Sequence, residues 1–188
     1  MMKIRIKFRK YGTMKFIGHL DVMRYFQKAI RRSEVNIRYS EGFSPHQIMS
    51  FAAPLGVGIT SKGEYVDIEV LDTENSKKMI DRLNAVMSEG FEILEYKLLP
   101  DDAANAMSIV AAADYSLVFR PGYEPEKESP EEWFEKLVRF FDADHVMIMK
   151  KTKKGEREMD LKPFVYELNV RKNGEVPALF MKVSAGSA

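Results

Sequence analysis

Two histidines have neighbours that could support acid–base chemistry. His19 stands at the predicted start of a helix, two residues before Asp21, and His46 follows several small polar residues. An imidazole in either place could act as a general base, and at a helix start it could also contact a phosphate group. A capping or packing role for His19 is the alternative. These two histidines are therefore the candidate catalytic residues of the chain.

The segment that ends at His46 combines glycine, proline and small polar residues, which set the backbone in special ways. A serine hydroxyl near an imidazole could form a nucleophile–base pair, although no third, orienting group follows at a recognised spacing. A loop of this composition is usually shaped for recognition. We therefore predict a surface that binds nucleic acid or a protein partner and is formed by Tyr39, Ser40, Glu41, Gly42, Phe43, Ser44, Pro45 and His46.

Positive charge is concentrated in the first third of the chain. Residues 1–60 carry eleven Lys and Arg against three Asp and Glu, whereas the remainder carries 18 basic and 25 acidic residues. Such a split indicates a half that binds polyanions, or halves that attract each other or a partner; solvated basic faces are the alternative. The residues predicted to hold phosphate share one helix: Arg24, Lys28, Arg31 and Arg32.

Further basic groups and aromatic residues extend this prediction. Spread positive charge suits a phosphate backbone, and exposed aromatic rings can stack on bases. The additional cations lie on a strand face (Lys3, Arg5, Lys7 and Arg9), at Arg38, and at a predicted hairpin tip, residues 150–157, and the aromatic residues are Phe16, Tyr39 and Phe43. The signature of an RNA-recognition motif is missing.

Composition excludes several classes of site. The chain has no cysteine, so it can form no disulfide, thiolate metal site, iron–sulfur ligation or cysteine nucleophile. We expect no cofactor and no metal in this chain. No apolar run approaches the roughly 18 residues of a membrane span, and the N-terminus lacks a signal-peptide core, so we expect a cytoplasmic protein with no membrane partner.

Apolar periodicity predicts an α+β protein. Residues 3–10 alternate as a half-buried strand, and apolar residues at helical spacing predict a helix that runs to about Ser33. Strand pieces at 35–39 and 47–53, a strand at 65–70, a helix after Asn75 and a strand at 91–99 follow. This order, strand–helix–strand–strand–helix–strand, is the ferredoxin-like arrangement, and it assigns residues 1–100 to an N-terminal domain.

The second half, residues 101–188, repeats part of this order. We predict a short helix within 103–113, a strand at 115–119, and a helix that begins with a capping box at Ser129. Strands follow at 145–149, 164–170 and 178–183, the first two joined through the basic tip. The prediction is therefore two tandem ferredoxin-like units, the second incomplete at the C-terminus, as in a truncated chain.

Several segments resemble a bacterial family of unknown function, the radical-SAM-linked proteins. The segments are Phe16–Arg24, Ala29–Arg32, Tyr39–His46, Ser50–Gly58, Glu64–Asp67 and Glu158–Phe164. The resemblance implies a partner: a radical SAM protein encoded beside this domain or fused before it, with neighbouring genes for RNA processing and ribosomes. Because the chain has no cysteine, the iron–sulfur cluster and the S-adenosylmethionine are expected only in that partner.

Three functional hypotheses follow. The first is a non-catalytic accessory protein of a radical SAM enzyme that binds RNA, such as tRNA or rRNA, or presents a substrate. The second is a metal-independent RNA-processing enzyme or transferase that uses His19 or His46. The third is a module that binds only proteins.

Overall fold

The structure is a computed structural model that describes residues 1–152 and 155–186. The chain forms two compact units, Met1–Val110 and Ala111–Ala188. The first unit contains β1 (Met2–Lys10), a 3-10 helix (Gly12–Phe16), α1 (His19–Arg32), β2 (Met49–Phe51), β3 (Ser61–Val70), α2 (Ser76–Asn84), β4 (Phe91–Leu99) and α3 (Ala106–Ile109). Its order of main helices and strands is the one that the periodicity predicts.

The strands of the first unit form one antiparallel sheet in the order β2-β3-β1-β4. Ile4 of β1 lies opposite Ile68 of β3 and Leu98 of β4. The strand predicted at 35–39 is wrong, because these residues make only isolated bridges, Ile37 with Val70 and Tyr39 with Gln47. The strand predicted at 47–53 is only three residues long.

The core of the first unit lies between this sheet and the helices α1 and α2. Phe8 is at its centre, with its ring centroid 4.6 Å from Phe26 of α1, 6.1 Å from Phe51 of β2 and 6.2 Å from Phe91 of β4. The alternation in β1 places Ile4, Ile6 and Phe8 in this core and the intervening cations on the opposite face. The helices α1 and α2 therefore cover the same face of the sheet.

The second unit contains β5 (Ala112–Leu117), α4 (Pro130–Phe141), β6 (Met147–Thr152), β7 (Gly155–Asp160), a 3-10 helix (Lys162–Phe164), β8 (Val165–Asn173) and β9 (Val176–Ser184). Its strands form an antiparallel sheet in the order β5-β9-β8 and a separate β6–β7 hairpin. The capping box that begins α4 is confirmed, since Ser129 and Glu132 exchange hydrogen bonds with each other's backbone N–H.

Two details of the second half differ from the prediction. The residues predicted as a hairpin tip before the 164–170 strand mostly form the strands β6 and β7, which pair with each other. Residues 153 and 154 of that tip lie outside the described residues. The helix expected within 103–113 covers only four residues, and β5 begins at Ala112.

The fold class is α+β with antiparallel sheets. A tandem ferredoxin-like arrangement stays a prediction. In the part of the chain that the structure describes, no helix is long and apolar enough to cross a membrane.

Candidate functional site

Three of the four cations on the outer face of β1 are paired with carboxylates of the neighbouring strands, and the fourth, Lys3, donates to backbone carbonyls. Arg5 donates from Nε and Nη2 to Asp67 at 2.8 and 2.9 Å. The other pairs are Lys7 with Glu95 at 2.9 Å, Arg9 with Glu92 at 3.2 Å and, beside them, Arg38 with Glu69 at 2.8 Å. These pairs place acidic residues of β3 and β4 directly against basic residues of the first third. This face is therefore a mixed-charge surface, and it is a poor site for a polyanion.

The four cations of α1 are all exposed, as the helical spacing predicts. Arg24 meets Asp21 at 3.5 Å, but both side chains are about two-thirds exposed, so the pair contributes little. Arg31 donates only to a backbone carbonyl, that of Gln27, at 3.4 Å. Arg32 donates to Val86 O at 3.2 Å. Unlike Arg5, Lys7 and Arg9 of β1, Arg24 and Arg31 keep charge that a phosphate group could reach.

The loop from Tyr39 to His46 is closed by its own ends. The backbone N–H of Ser40 donates to His46 O at 2.8 Å, and the N–H of His46 donates to Ser40 Oγ at 3.1 Å. Gly42 has a φ of +105°, a conformation that favours glycine at this tight turn. Phe43 stands at the tip with its side chain fully exposed. The loop therefore holds an aromatic ring out to solvent on a closed frame.

The loop lies beside α1. Gln47, which follows the loop directly, donates from Nε2 to the carbonyl of Gln27 at 3.3 Å. Gln27 belongs to the same helical stripe as Arg24 and Arg31, at spacings of three and four residues. The structure thus brings together the loop and the basic helix. We call the exposed residues Arg24, Lys28 and Arg31, together with the loop Tyr39–His46, the α1 surface.

A second turn adds apolar groups near the start of α1. The N–H of Gly58 donates to Lys15 O at 2.7 Å, which holds the turn against the 3-10 helix. Phe16 and Val57 are each 62% exposed, and the Lys15 ammonium lies 5.0 Å from the Phe16 ring centroid. Phe16 is therefore exposed, and its ring already lies near a cation. Its stacking on a base stays a prediction.

Ser40 and His46 come within reach of each other. Ser40 Oγ lies 2.9 Å from His46 Nδ1, so the hydroxyl can donate to a neutral imidazole. The same hydroxyl oxygen accepts the His46 N–H, a contact that closes the loop. Among the described residues, no carboxylate bonds to the His46 ring to orient it, and no group of three His, Asp or Glu residues could hold a metal. The geometry fits a loop-closing contact and lacks the third member of a catalytic triad.

His19 occupies a different place. Its ring lies edge-on to Phe51 at 5.4 Å and lines a small cavity that is partly open to solvent and has room for about one water molecule. Lys10, which is only 2% exposed, and Glu64 line the same cavity. The two histidines therefore do not share a site.

Lys10 and Glu64 are residues that the sequence reasoning missed. The signal was present, because the alternation that buries Ile4, Ile6 and Phe8 also directs residue 10 inward. Lys10 Nζ donates to the carbonyl of Ile17 at 3.0 Å. Burial lowers the pKa of Lys10 and raises the pKa of Glu64 from their ordinary values, since both charged forms lose hydration there.

The fold and these sites describe a cysteine-free α+β protein with an exposed basic and aromatic surface and a small polar cavity. Residues 3–188 match a family model with the description "Uncharacterized protein conserved in bacteria (DUF2344)". The chain therefore belongs to this bacterial family of unknown function. A comparison with curated proteins found no match.

Proposed function

We propose that this protein is a non-catalytic accessory protein that binds RNA through the α1 surface. The observation that carries the proposal is the contrast between two basic surfaces. Arg5, Lys7 and Arg9 of β1 are paired with carboxylates, whereas Arg24 and Arg31 have no comparably close carboxylate partner in the described structure. Their helix contacts Gln47, the residue that directly follows the loop with the fully exposed Phe43.

Both parts of this surface suit single-stranded or looped RNA. Cations on one helix face can follow the phosphate backbone, and an exposed phenyl ring can stack on any base. Base–aromatic stacking contributes about 1–3 kcal/mol per base, and each lost phosphate contact reduces the salt dependence of binding. The predicted binding is therefore tolerant of sequence and sensitive to salt.

The proposal is tested by the fluorescence anisotropy of a labelled single-stranded RNA, titrated with the full chain at several salt concentrations. We expect binding that weakens steeply with salt, and a salt slope smaller by about one to two in Arg24→Ala/Arg31→Ala, near the limit of two lost phosphate contacts. Phe43→Ala should weaken binding by about tenfold with the slope unchanged, because it removes stacking and no charge.

The matched control is Lys77→Ala/Lys97→Ala, which removes the same charge from exposed positions on α2 and β4. It should retain wild-type affinity. Absent or salt-independent binding, or an equal loss in this control, would reject the RNA-binding proposal.

We also propose that a radical SAM protein is the partner, on the ground of the sequence resemblance. The iron–sulfur cluster and S-adenosylmethionine would then belong to that partner, and this chain would need no cofactor. A tagged pull-down tests this, with both protein and nucleic acid identified. Recovery of a radical SAM protein with RNA supports the accessory role, recovery without RNA supports the protein-binding module, and absence of any radical SAM protein rejects the partnership.

An enzymatic role is the second candidate, because of the 2.9 Å contact between Ser40 Oγ and His46 Nδ1. Small RNA incubated with the protein should remain intact under the accessory proposal. Cleavage or modification that is lost in His46→Ala or His19→Ala would favour a metal-independent enzyme instead.

The finer description of the fold is also a proposal. The sheet order β2-β3-β1-β4, with α1 and α2 between the strands in sequence, supports a ferredoxin-like assignment for Met1–Val110. The tandem arrangement is proposed from the sequence pattern alone.

A further inference from the structure

The cavity beside His19 collects polar groups from three elements of the first unit. Lys10 comes from the end of β1, His19 from the start of α1 and Glu64 from β3. The remaining walls are apolar or small: Phe8, Val22, Phe51, Ala53 and Leu55. A few convergent polar groups in an apolar pocket are the usual composition of a site for a small molecule.

Lys10 is the unusual member of this group. A lysine is rarely so deeply buried, and the hydrogen bond from Lys10 to the carbonyl of Ile17 does not neutralise its charge. Lys7, three residues earlier, lies on the outer face of the same strand, and its hydrogen bond to Glu95 raises its pKa. The pKa of Lys10 is lowered by burial, although the nearby Glu64 opposes this shift. The same strand therefore carries one lysine that favours the ammonium form and one that is shifted towards the neutral amine.

We propose that Lys10 forms an imine with a one-carbon aldehyde that enters the cavity beside His19 and Glu64. The size follows from the cavity, which has room for about one water molecule next to its opening. The chemical class follows from the group: a lysine amine desolvated in an apolar pocket is a nucleophile towards carbonyl carbon. This activity is separate from RNA binding, since Lys10 is buried and the α1 surface is exposed.

The reaction balances with groups already in the cavity. The lone pair of Lys10 Nζ forms a bond to the carbonyl carbon, and the carbonyl π electrons move to oxygen, which takes up a proton as nitrogen loses one. The nitrogen lone pair then forms the C=N bond as the C–O bond of this carbinolamine breaks, and the oxygen leaves as water with a proton from an acid. The products are a protonated imine and the carboxylate of that acid. Burial raises the pKa of Glu64 and so favours the carboxylic acid form that can supply this proton.

The test is reductive methylation of the full wild-type chain with formaldehyde and cyanoborohydride at pH 7. The reductant traps each imine as a stable methylamine, which peptide mass spectrometry assigns to its lysine. We expect Lys10 to react on the order of tenfold faster than Lys7, because its amine is shifted towards the neutral form and that of Lys7 towards the ammonium form. The preference should disappear in concentrated urea, where both lysines are solvated.

A larger aldehyde tests the site. Benzaldehyde, which exceeds the cavity, should show no preference for Lys10. Equal or slower reaction of Lys10 in the folded wild type would reject the proposal. Preferential labelling of Lys10 by benzaldehyde would reject the cavity as the cause.

Discussion

Asp67 joins three parts of the first unit through one carboxylate. It accepts two hydrogen bonds from Arg5 of β1 and a third, at 2.6 Å, from the backbone N–H of Ala106 at the start of α3. The side chains of Arg5 and Asp67 are only 16% and 14% exposed. The hydrogen bond to Asp67 raises the pKa of Arg5 further, so the guanidinium remains charged. Asp67 is therefore a structural residue.

Replacing Asp67 should destabilise the protein strongly. In Asp67→Ala, the Arg5 charge and the Ala106 N–H lose their partner in a poorly hydrated place, and we expect a loss of about 2–4 kcal/mol in the free energy of unfolding. Urea denaturation followed by circular dichroism measures it. Glu95→Ala is the control, because its pair with Lys7 is more exposed and should be worth less than about 1 kcal/mol. Equal losses in the two variants would contradict this account.

At the scale of elements, Asp160 connects the segment before β6 to the segment after β7, at the open end of the β6–β7 hairpin. Its Oδ1 accepts the backbone N–H of Val146 at 2.9 Å and that of Lys162 at 3.0 Å, and its Oδ2 lies 2.8 Å from His145 Nδ1. These contacts join the residue before β6 to the 3-10 helix after β7. An isolated two-stranded ribbon is only marginally stable, so the contacts at its open end matter.

The pKa of Asp160 predicts how the second unit responds to acid. The hydrogen bonds from His145, Val146 and Lys162 lower its pKa from 3.8 to about 2. Because its pKa is lowered in the folded state, the ionised Asp160 carboxylate stabilises the fold at pH values above its ordinary pKa. This stabilisation is lost as the pH falls from about 4 to about 2. Trp133, the single tryptophan, packs on Phe119 and Phe134 in this unit and reports its unfolding by fluorescence.

In Asp160→Asn, the stability of the second unit should depend less steeply on pH between 4 and 2 than in the wild type. His145→Ala should show an intermediate slope, because it removes the largest cause of the shift and leaves the two backbone N–H donors. Parallel profiles for the wild type and Asp160→Asn would contradict the prediction.

At the scale of the whole molecule, the boundary of the first unit lies at Val110, whereas the sequence suggested residue 100. Residues 101–110 belong with the first unit because Lys3 Nζ donates to Asp101 O at 2.6 Å and Arg5 donates to Ala104 O at 3.0 Å. Ala106, which begins α3, is itself buried. These contacts run along the outer face of the sheet, opposite α1 and α2.

A fragment of residues 1–110 should therefore fold alone with a cooperative urea transition, since the core built around Phe8 lies entirely within it. A fragment of residues 1–100 should be less stable by about 1–3 kcal/mol, because Asp67 loses its hydrogen bond from the Ala106 N–H and the outer face of the sheet loses its contacts with residues 101–110. Circular dichroism of the two fragments makes the comparison. A shorter fragment as stable as the longer one would place the boundary at residue 100.

The sequence alone determined the features that depend on local periodicity. The alternation of residues 3–10 fixed which face of β1 is buried, the helical stripe gave α1, and Ser129 and Glu132 marked the start of α4. Each of these rests on residues a few positions apart, whose side chains share a face or a cap whatever the rest of the chain does.

Only the tertiary structure decided which charges are free. The carboxylates that neutralise Arg5 and Lys7 lie 62 and 88 residues away in sequence, and the strand register alone brings them opposite. The same long-range pairing buries Lys10 beside Glu64 and separates His19 from His46. Composition predicted a basic half, but the free energy of each charge depends on its neighbours in space, and these are set by packing between distant segments.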